Sequence, residues 1–289
     1  PLFLPAHAKL NLALSVGPPL PAPGPAAGMH PIASWMHAID LHDDLELTRL
    51  PEGQPSRHLI RWAPDAPQPS PIDWPLEKDL AVRAHRLLEQ HTGRPLPISL
   101  ILSKRIPVGG GLGGGSSDAA ATMLALNRLF ELGLPLSQLR DIAYFIDDAS
   151  PPRPAIVTGL GDRIERIPAS VAAALLIIPP FGCPTGPVYK AFDALPVKPI
   201  RVTDIRALPA SNPAAAPLFN DLLPAAQSVQ PALGPLRHRI AAAAGLPVHM
   251  SGSGSTLFIL ARDHAPLPAL AEKIHSTVPE VALVPVRLA

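Results

Sequence analysis

Fifteen residues constrain this chain more than the other 274: Pro107-Val108-Gly109-Gly110-Gly111-Leu112-Gly113-Gly114-Gly115-Ser116-Ser117-Asp118-Ala119-Ala120-Ala121. Residues 97–106 (PISLILSKRI) read as a strand before this run, and a helix is predicted from about 117 to 131 after it. Six glycines between a strand and a helix allow backbone shapes closed to other residues, and with no Cβ in the way the N–H groups can turn toward an anion. Ser116 and Ser117 are good helix-capping residues, and the positive end of the helix dipole favours phosphate. Strand, glycine loop and helix start therefore form a phosphate cradle. A flexible linker is the bland alternative, but a linker would not be clamped between an apolar strand and an apolar-faced helix.

Two other phosphate motifs fit less well. Gly109-x-Gly111-x-x-Gly114 matches a dinucleotide fingerprint by letter. No acidic residue ends a second strand about 20 residues on, however, and the upstream chain does not read as a simple strand-helix-strand opening. A P-loop needs Lys-Ser/Thr after its last glycine, where this loop has Ser-Ser-Asp.

Elsewhere, residues 2–16 alternate as a strand, which puts Lys9 and Asn11 on one face. Residues 17–28 form a Pro/Gly loop, 32–49 read as helix or strand and then strand, and 51–75 as a long loop or irregular hairpin. Residues 77–91 form a helix with Leu80, Ala84, Leu87 and Leu88 on one face. Strands are predicted at 155–159 and 174–178, short helical pieces divided by prolines at 201–245, and strand, tight turn and strand at 247–261. A helix and a closing strand follow. This mixed order argues an α+β fold.

Lys+Arg 24 against Asp+Glu 23 leaves a net charge of +1, so no electrostatic footprint for nucleic acid or an anionic membrane is expected. One cysteine, Cys183, excludes an intrachain disulfide and a multi-cysteine zinc site. No apolar run reaches the ~18 residues of a membrane-spanning helix. No basic region followed by a long apolar stretch marks a secretory signal, and a soluble cytoplasmic protein is expected.

The glycine run resembles the ATP loop of the GHMP kinases. Within them its two glycine triplets followed by S-S-D-A-A-A are similar to the branch that phosphorylates the 2-hydroxyl of a cytidine diphosphate-linked methylerythritol in non-mevalonate isoprenoid synthesis. Other landmarks fall in the same order: Ala6-His7-Ala8-Lys9-Leu10-Asn11-Leu12, Gly28-Met29-His30, the helix at Lys78–Ala84, Asn220-Asp221-Leu222, and Met250-Ser251-Gly252-Ser253-Gly254-Ser255. The resemblance implies a two-domain GHMP kinase-like α+β fold, residues 1–160 and 161–289, with the active site in the cleft between domains.

It also implies ATP and Mg²⁺ as cofactors, with no ligands assigned to the metal, and a monomer or homodimer. The cradle, Pro107 to Ser117, binds ATP as Pro107, Val108, Gly109, Gly110, Gly111, Leu112, Gly113, Gly114, Gly115, Ser116 and Ser117. Ser253 and Gly254 close the phosphate site, and Lys104 lies near the adenine, unless it is merely a solvated strand-end charge. Lys9 stabilises the charge developing at the substrate hydroxyl and Asn11 orients the substrate. The base is Asp141 by its match of Asp141-Ile142-Ala143-Tyr144-Phe145 to the family's D-V-x-F-F, with Asp147 or Asp148 as the alternative on spacing. His30 and Tyr189 hold the cytosine, Met29 standing where the family has an aromatic residue and Asp79 where it has asparagine. Two rivals stand beside this expectation: another GHMP small-molecule kinase, and a non-catalytic nucleotide-binding relative.

Overall fold

In the computed structural model, which describes residues 1–135, 144–196 and 198–289, ten strands and seven α-helices are defined among the described residues. Cα packing divides the chain into two compact units. One contains Pro1–Ala8, Leu41–Val108 and Gly113–Pro152; the other contains Lys9–Asp40, Gly109–Leu112 and Arg153–Ala289. Strands β1 (Leu2–Val16) and β2 (Ile32–Arg49) contribute residues to both. The segment 32–49, ambiguous by periodicity, is one strand of 18 residues.

In the first unit the second half of β2 pairs antiparallel with β4 (Ile98–Lys104), from Asp44 opposite Ser103 to Arg49 opposite Ile98. Strand β3 (Arg57–Trp62) pairs parallel with β4, with helix α1 (Leu80–Thr92) as the crossover between them. Two expectations are corrected here. Residues 51–75 hold a strand rather than a hairpin, and a strand-helix-strand unit does precede the glycine loop. The polar, Pro-rich composition around β3 hid it: its burial alternates only between exposed and intermediate, as suits the end of a strand order.

The Asp79 carboxylate caps α1 by accepting from Ala81 N–H at 2.9 Å, and Gly93 ends the helix in the left-handed conformation. Helices α1 and α2 (Gly114–Leu129) enclose a core in which Leu45, Leu47, Ile98, Leu100 and Leu102 meet Ala84, Leu88, Ala125 and Leu126. Full burial of each such leucine or isoleucine contributes about 1.5–3 kcal/mol.

In the second unit the first part of β2 pairs antiparallel with β5 (Ala155–Gly159), which also pairs with β6 (Arg163–Arg166). A separate antiparallel sheet has the order β10-β7-β9-β8. Its strand β7 (Ala173–Ile178) is buried along its whole length between β9 (Leu257–Ala261) and β10 (Ala282–Arg287), which explains its unbroken apolar run. Pro285 is tolerated because β10 is an edge strand. The short strand β8 (His249–Met250) pairs with β9. Helices α3 (Thr185–Asp193), α4 (Val202–Ala207), α5 (Leu223–Val229), α6 (Leu233–Ala244) and α7 (Leu267–His275) complete this unit. Among the described residues no helix is long and apolar enough to cross a membrane.

Candidate active site

The glycine loop has a definite backbone. Gly109, Gly111 and Gly113 have φ of 69°, 73° and 73°, whereas Gly110, Leu112 and Gly114 do not lie in the positive-φ region. Alternation of this kind turns successive N–H groups toward one side and makes a concavity for an anion. The helix begins at Gly114, with Gly113 in the left-handed conformation at its N-cap, so Ser116 and Ser117 occupy the first turn instead of capping it. Serine capping propensity pointed to a later start, but the αL backbone that only glycine adopts cheaply decides the position. The N–H groups at this end have no intrahelical partners and are available to a ligand. Leu112 is buried and anchors the loop, and Pro107 is buried while Val108 is exposed.

Lys9 and Asn11 share one face of β1, as the alternation predicted. The Lys9 ammonium donates to Asn11 Oδ1 and to the Gly111 carbonyl. Asn11 is fixed on two further sides: its Nδ2 donates to Ser34 Oγ at 2.8 Å and its backbone N–H to Ser251 Oγ at 3.2 Å. Ser251 Oγ donates in turn to the Gly111 carbonyl at 3.0 Å. Burial pushes the Lys9 ammonium down from 10.5 to about 7. An ammonium has three donors, and two here are engaged within the protein, which leaves one for a ligand oxygen. An anion beside it would offset the desolvation and favour the charged form.

The second tight turn lies against this pair. Gly252 has φ 57°, and a Cβ there would stand 3.0 Å from the Gly111 carbonyl oxygen and 3.3 Å from both Asn11 Oδ1 and Lys9 Nζ. Asn220 holds the turn in shape, its Nδ2 donating to the carbonyls of Met250 and Gly252, each at 2.8 Å. Ser253 Oγ is 3.1 Å from Thr185 Oγ1, and Gly254 has φ 84°. Ser34, Thr185 and the holding role of Asn220 escaped sequence reasoning, although Asn220-Asp221-Leu222 did stand out as a motif. The neighbouring Asp221 accepts from Ser15 Oγ at 2.8 Å and from Arg201, tying that segment to β1.

Lys104 is buried, not a solvated charge at a strand end. Its ammonium donates to Asp43 Oδ2 at 2.5 Å and to Asp118 Oδ2 at 2.7 Å. Asp141 lies outside the described residues. Asp147 and Asp148 line a cavity of about 70 Å³ together with His7, Ser117, Arg128 and Phe145. Asp147 is nearly buried, and its Oδ1 accepts from the Asp148 N–H at 2.8 Å.

His30 and Tyr189 come together, with ring centroids 5.2 Å apart. The His30 Nδ1 donates to the Gly17 carbonyl at 2.8 Å, its Nε2 is 3.1 Å from Asp193 Oδ1, and Phe192 meets its edge at 5.8 Å. Phe192 and Asp193 were not singled out in the sequence; they sit three and four positions after Tyr189 on α3, hence on the same helix face. Met29, the residue before His30, is 48% exposed.

Residues 79–151 match the GHMP kinases N terminal domain and residues 206–280 match GHMP kinases C terminal. The 4-diphosphocytidyl-2-C-methyl-D-erythritol kinase of Aromatoleum aromaticum is 35% identical over 263 residues, covering 88% of this chain and 82% of that protein. The protein of the same name from Chromobacterium violaceum is 36% identical over 264 residues, covering 88% and 84%. A crystal structure of 4-(cytidine 5'-diphospho)-2C-methyl-D-erythritol kinase superposes with a TM-score of 0.76 at 29% identity, covering 100% of this chain and 99% of the other. The Methanococcus jannaschii mevalonate kinase shares the fold, with a TM-score of 0.64 at 12% identity and coverage of 100% and 98%.

Proposed function

The chain belongs to the GHMP kinase family, and from that premise we propose that it transfers the γ-phosphoryl group of ATP to the 2-hydroxyl of 4-diphosphocytidyl-2-C-methyl-D-erythritol. The observation that carries this reading is the convergence of Lys9, Asn11, the Gly111 carbonyl and the Ser251-Gly252 turn at one point in a chain whose relatives of that name match it over most of its length. The two family domains are proposed to divide near residue 160, supported by matches at 79–151 and 206–280 that fall on either side.

Phosphoryl transfer asks the protein mainly for positioning and charge stabilisation. The N–H groups of the glycine loop and of the first turn of α2 cradle the phosphates, with Ser253 and Gly254 assigned to the same task. Asn11, held by Ser34 and Ser251, orients the acceptor hydroxyl. Lys9 places its remaining N–H on an oxygen of the transferring group or of the attacking hydroxyl. The hydroxyl oxygen forms the new bond to phosphorus as the bond to the β-phosphate oxygen breaks, ADP leaves, and a carboxylate takes the hydroxyl proton. That carboxylate is assigned to Asp141 by its sequence motif. A second assignment, to Asp147 or Asp148, is favoured by the cavity they share with Ser117 of the loop helix.

Mg²⁺ is the metal the family implies. Ser117, Asp147 and Asp148 would offer such a hard cation oxygen donors in a cavity that His7 and Arg128 also line. When bound there it supplies neutralisation of phosphate charge. The cytosine is assigned to His30 and Tyr189, with Met29 as a polarisable contact. The near-zero net charge supports a small molecule as the partner, not nucleic acid or an anionic membrane.

The deciding experiment supplies ATP, Mg²⁺ and the cytidine diphosphate-linked methylerythritol to the purified protein and follows ADP and the 2-phosphate product. Stoichiometric formation of both is expected. ATP binding with no product from this acceptor, but product from another small alcohol, would move the chain to a different activity within its family. ATP binding with no transfer to any acceptor would make it a nucleotide-binding relative.

A further inference from the structure

Three buried charges stand at the two ends of the glycine loop, and the transfer described above uses none of them. Asp43 lies on β2, Lys104 is the last residue of β4, and Asp118 is the fifth residue of α2. Their side chains are 0%, 5% and 3% exposed. Asp43 does two things at once. Its Oδ2 accepts from the Lys104 ammonium, while its Oδ1 accepts from the N–H groups of Arg105 and Ile106, the latter at 2.7 Å. Those two N–H groups belong to the backbone just where β4 ends and the chain turns toward Pro107. The Lys104 ammonium then crosses to Asp118 on the far side of the loop. The whole loop thus lies between two residues joined through one ammonium.

We propose that Asp43 is a positioning residue for nucleotide binding: through Lys104 and the Arg105 and Ile106 amides it fixes where the loop leaves the sheet, and through Lys104 and Asp118 where the loop enters its helix. The inference rests on the reading of the loop as a nucleotide cradle. Glycines make the loop adaptable but cannot hold it, because they have no side chains to pack and the most backbone freedom to lose. Something must bear the ordering entropy before the ligand arrives, or the ligand does so at the expense of affinity. Of the three, Asp43 does most, since it alone contacts both the ammonium and the backbone.

The arrangement is not what stability alone would select. Two carboxylates share one ammonium, and Asp118 Oδ1 is buried with no hydrogen-bond partner. Burial raises the Asp118 carboxyl well above its usual range despite the neighbouring ammonium. Taking three ionisable groups out of water costs desolvation energy that their mutual attraction must first offset. What the charges add is direction: a fixed ammonium and two amides set to a single acceptor.

The test uses the full chain and compares Asp43→Ala, which removes every contact, with Asp43→Asn, which keeps an acceptor oxygen for the two amides. ATP dissociation constants are measured by calorimetry well below the melting temperature of each variant, beside the KM of the acceptor alcohol. Asp43→Ala is expected to weaken ATP roughly 10–100-fold, the scale of a small misplacement of a binding group, with the acceptor KM within about twofold of the parent. Asp43→Asn is expected to recover most of the ATP affinity. A folded Asp43→Ala that binds ATP like the parent, or one that loses ATP and acceptor equally, overturns the proposal and leaves Asp43 a structural residue. If Asp43→Ala does not fold, Asp118→Asn decides: weaker ATP binding with an unchanged acceptor KM upholds the proposal, and unchanged ATP binding overturns it. Failure of the parent protein itself to bind ATP would instead refute the cradle.

Discussion

Replacing Gly111 and Gly109 by alanine separates two costs that usually come mixed. Both residues have φ near 70°, so each alanine pays the left-handed penalty of about 1–2 kcal/mol. At Gly109 a Cβ meets nothing within 4 Å, and that penalty is the whole effect. At Gly111 the Cβ would overlap the Ser251 carbonyl oxygen and lie 3.0 Å from the Gly254 oxygen and 3.2 Å from the Gly254 nitrogen. All three are backbone atoms of the turn that Asn220 holds, so they cannot swing aside as a side chain would. Overpacking of that kind costs about 1–3 kcal/mol. The shift also strains the bonds that the Gly111 carbonyl accepts from Lys9 and Ser251, about 1 kcal/mol each. The sum is about 4–7 kcal/mol for Gly111→Ala against about 1–2 for Gly109→Ala. Urea unfolding gives the two stabilities, and calorimetry gives ATP affinity wherever the variant stays folded. Equal destabilisation of the two variants would mean that the Ser251–Gly254 turn does not press on the loop, and the account of the Lys9 site would fall with it.

Four further outcomes can be measured. The folded chain holds the Lys9 ammonium at about 7 against 10.5 for an ordinary lysine, so between those values the unfolded chain binds more protons and stability rises with pH. Lys9→Met should flatten that rise in urea melts, and a slope unchanged by the substitution would rule out the buried ammonium as its source. Because phosphate favours the charged form, ATP binding near pH 8 should take up a proton; calorimetry in buffers of different ionisation enthalpy reads this directly, and no uptake would place Lys9 away from the phosphates. Among Asp141→Asn, Asp147→Asn and Asp148→Asn, the variant that removes the base should lower kcat by ~10²–10⁴ with binding retained, and single-turnover rates for all three identify it. Three mild variants would mean that this segment supplies no base. Tyr189→Ala should raise the acceptor KM by roughly one to two decades, the worth of one base-stacking contact, and leave ATP unaffected; equal losses for both ligands would make Tyr189 structural.

Much of the fold was legible because its determinants are local. The span 2–16 is that of β1, although its burial alternates only as far as Leu10, and the strand period of two placed Lys9 and Asn11 on one face. The turn chemistry of 250–255 and the apolar run at 174–178 were equally readable. Local signals also misled where two of them competed. The serines of the loop argued for a late helix start, and the left-handed Gly113 moved it to Gly114. The composition of residues 51–75 argued against a strand, and β3 forms there because β4 offers it a parallel partner across α1.

The glycine loop and the side of β1 that bears Lys9 were therefore determined by the sequence itself, since backbone freedom and side-chain period act within a few residues. Tertiary structure alone decided what those groups touch. The Lys9 ammonium meets a carbonyl 102 positions away, Asn11 meets a serine 240 positions away, and Lys104 became a buried link between two aspartates. A charged or polar side chain takes its protonation and its role from the partners and the water left around it, and only packing brings those partners in and drives that water out.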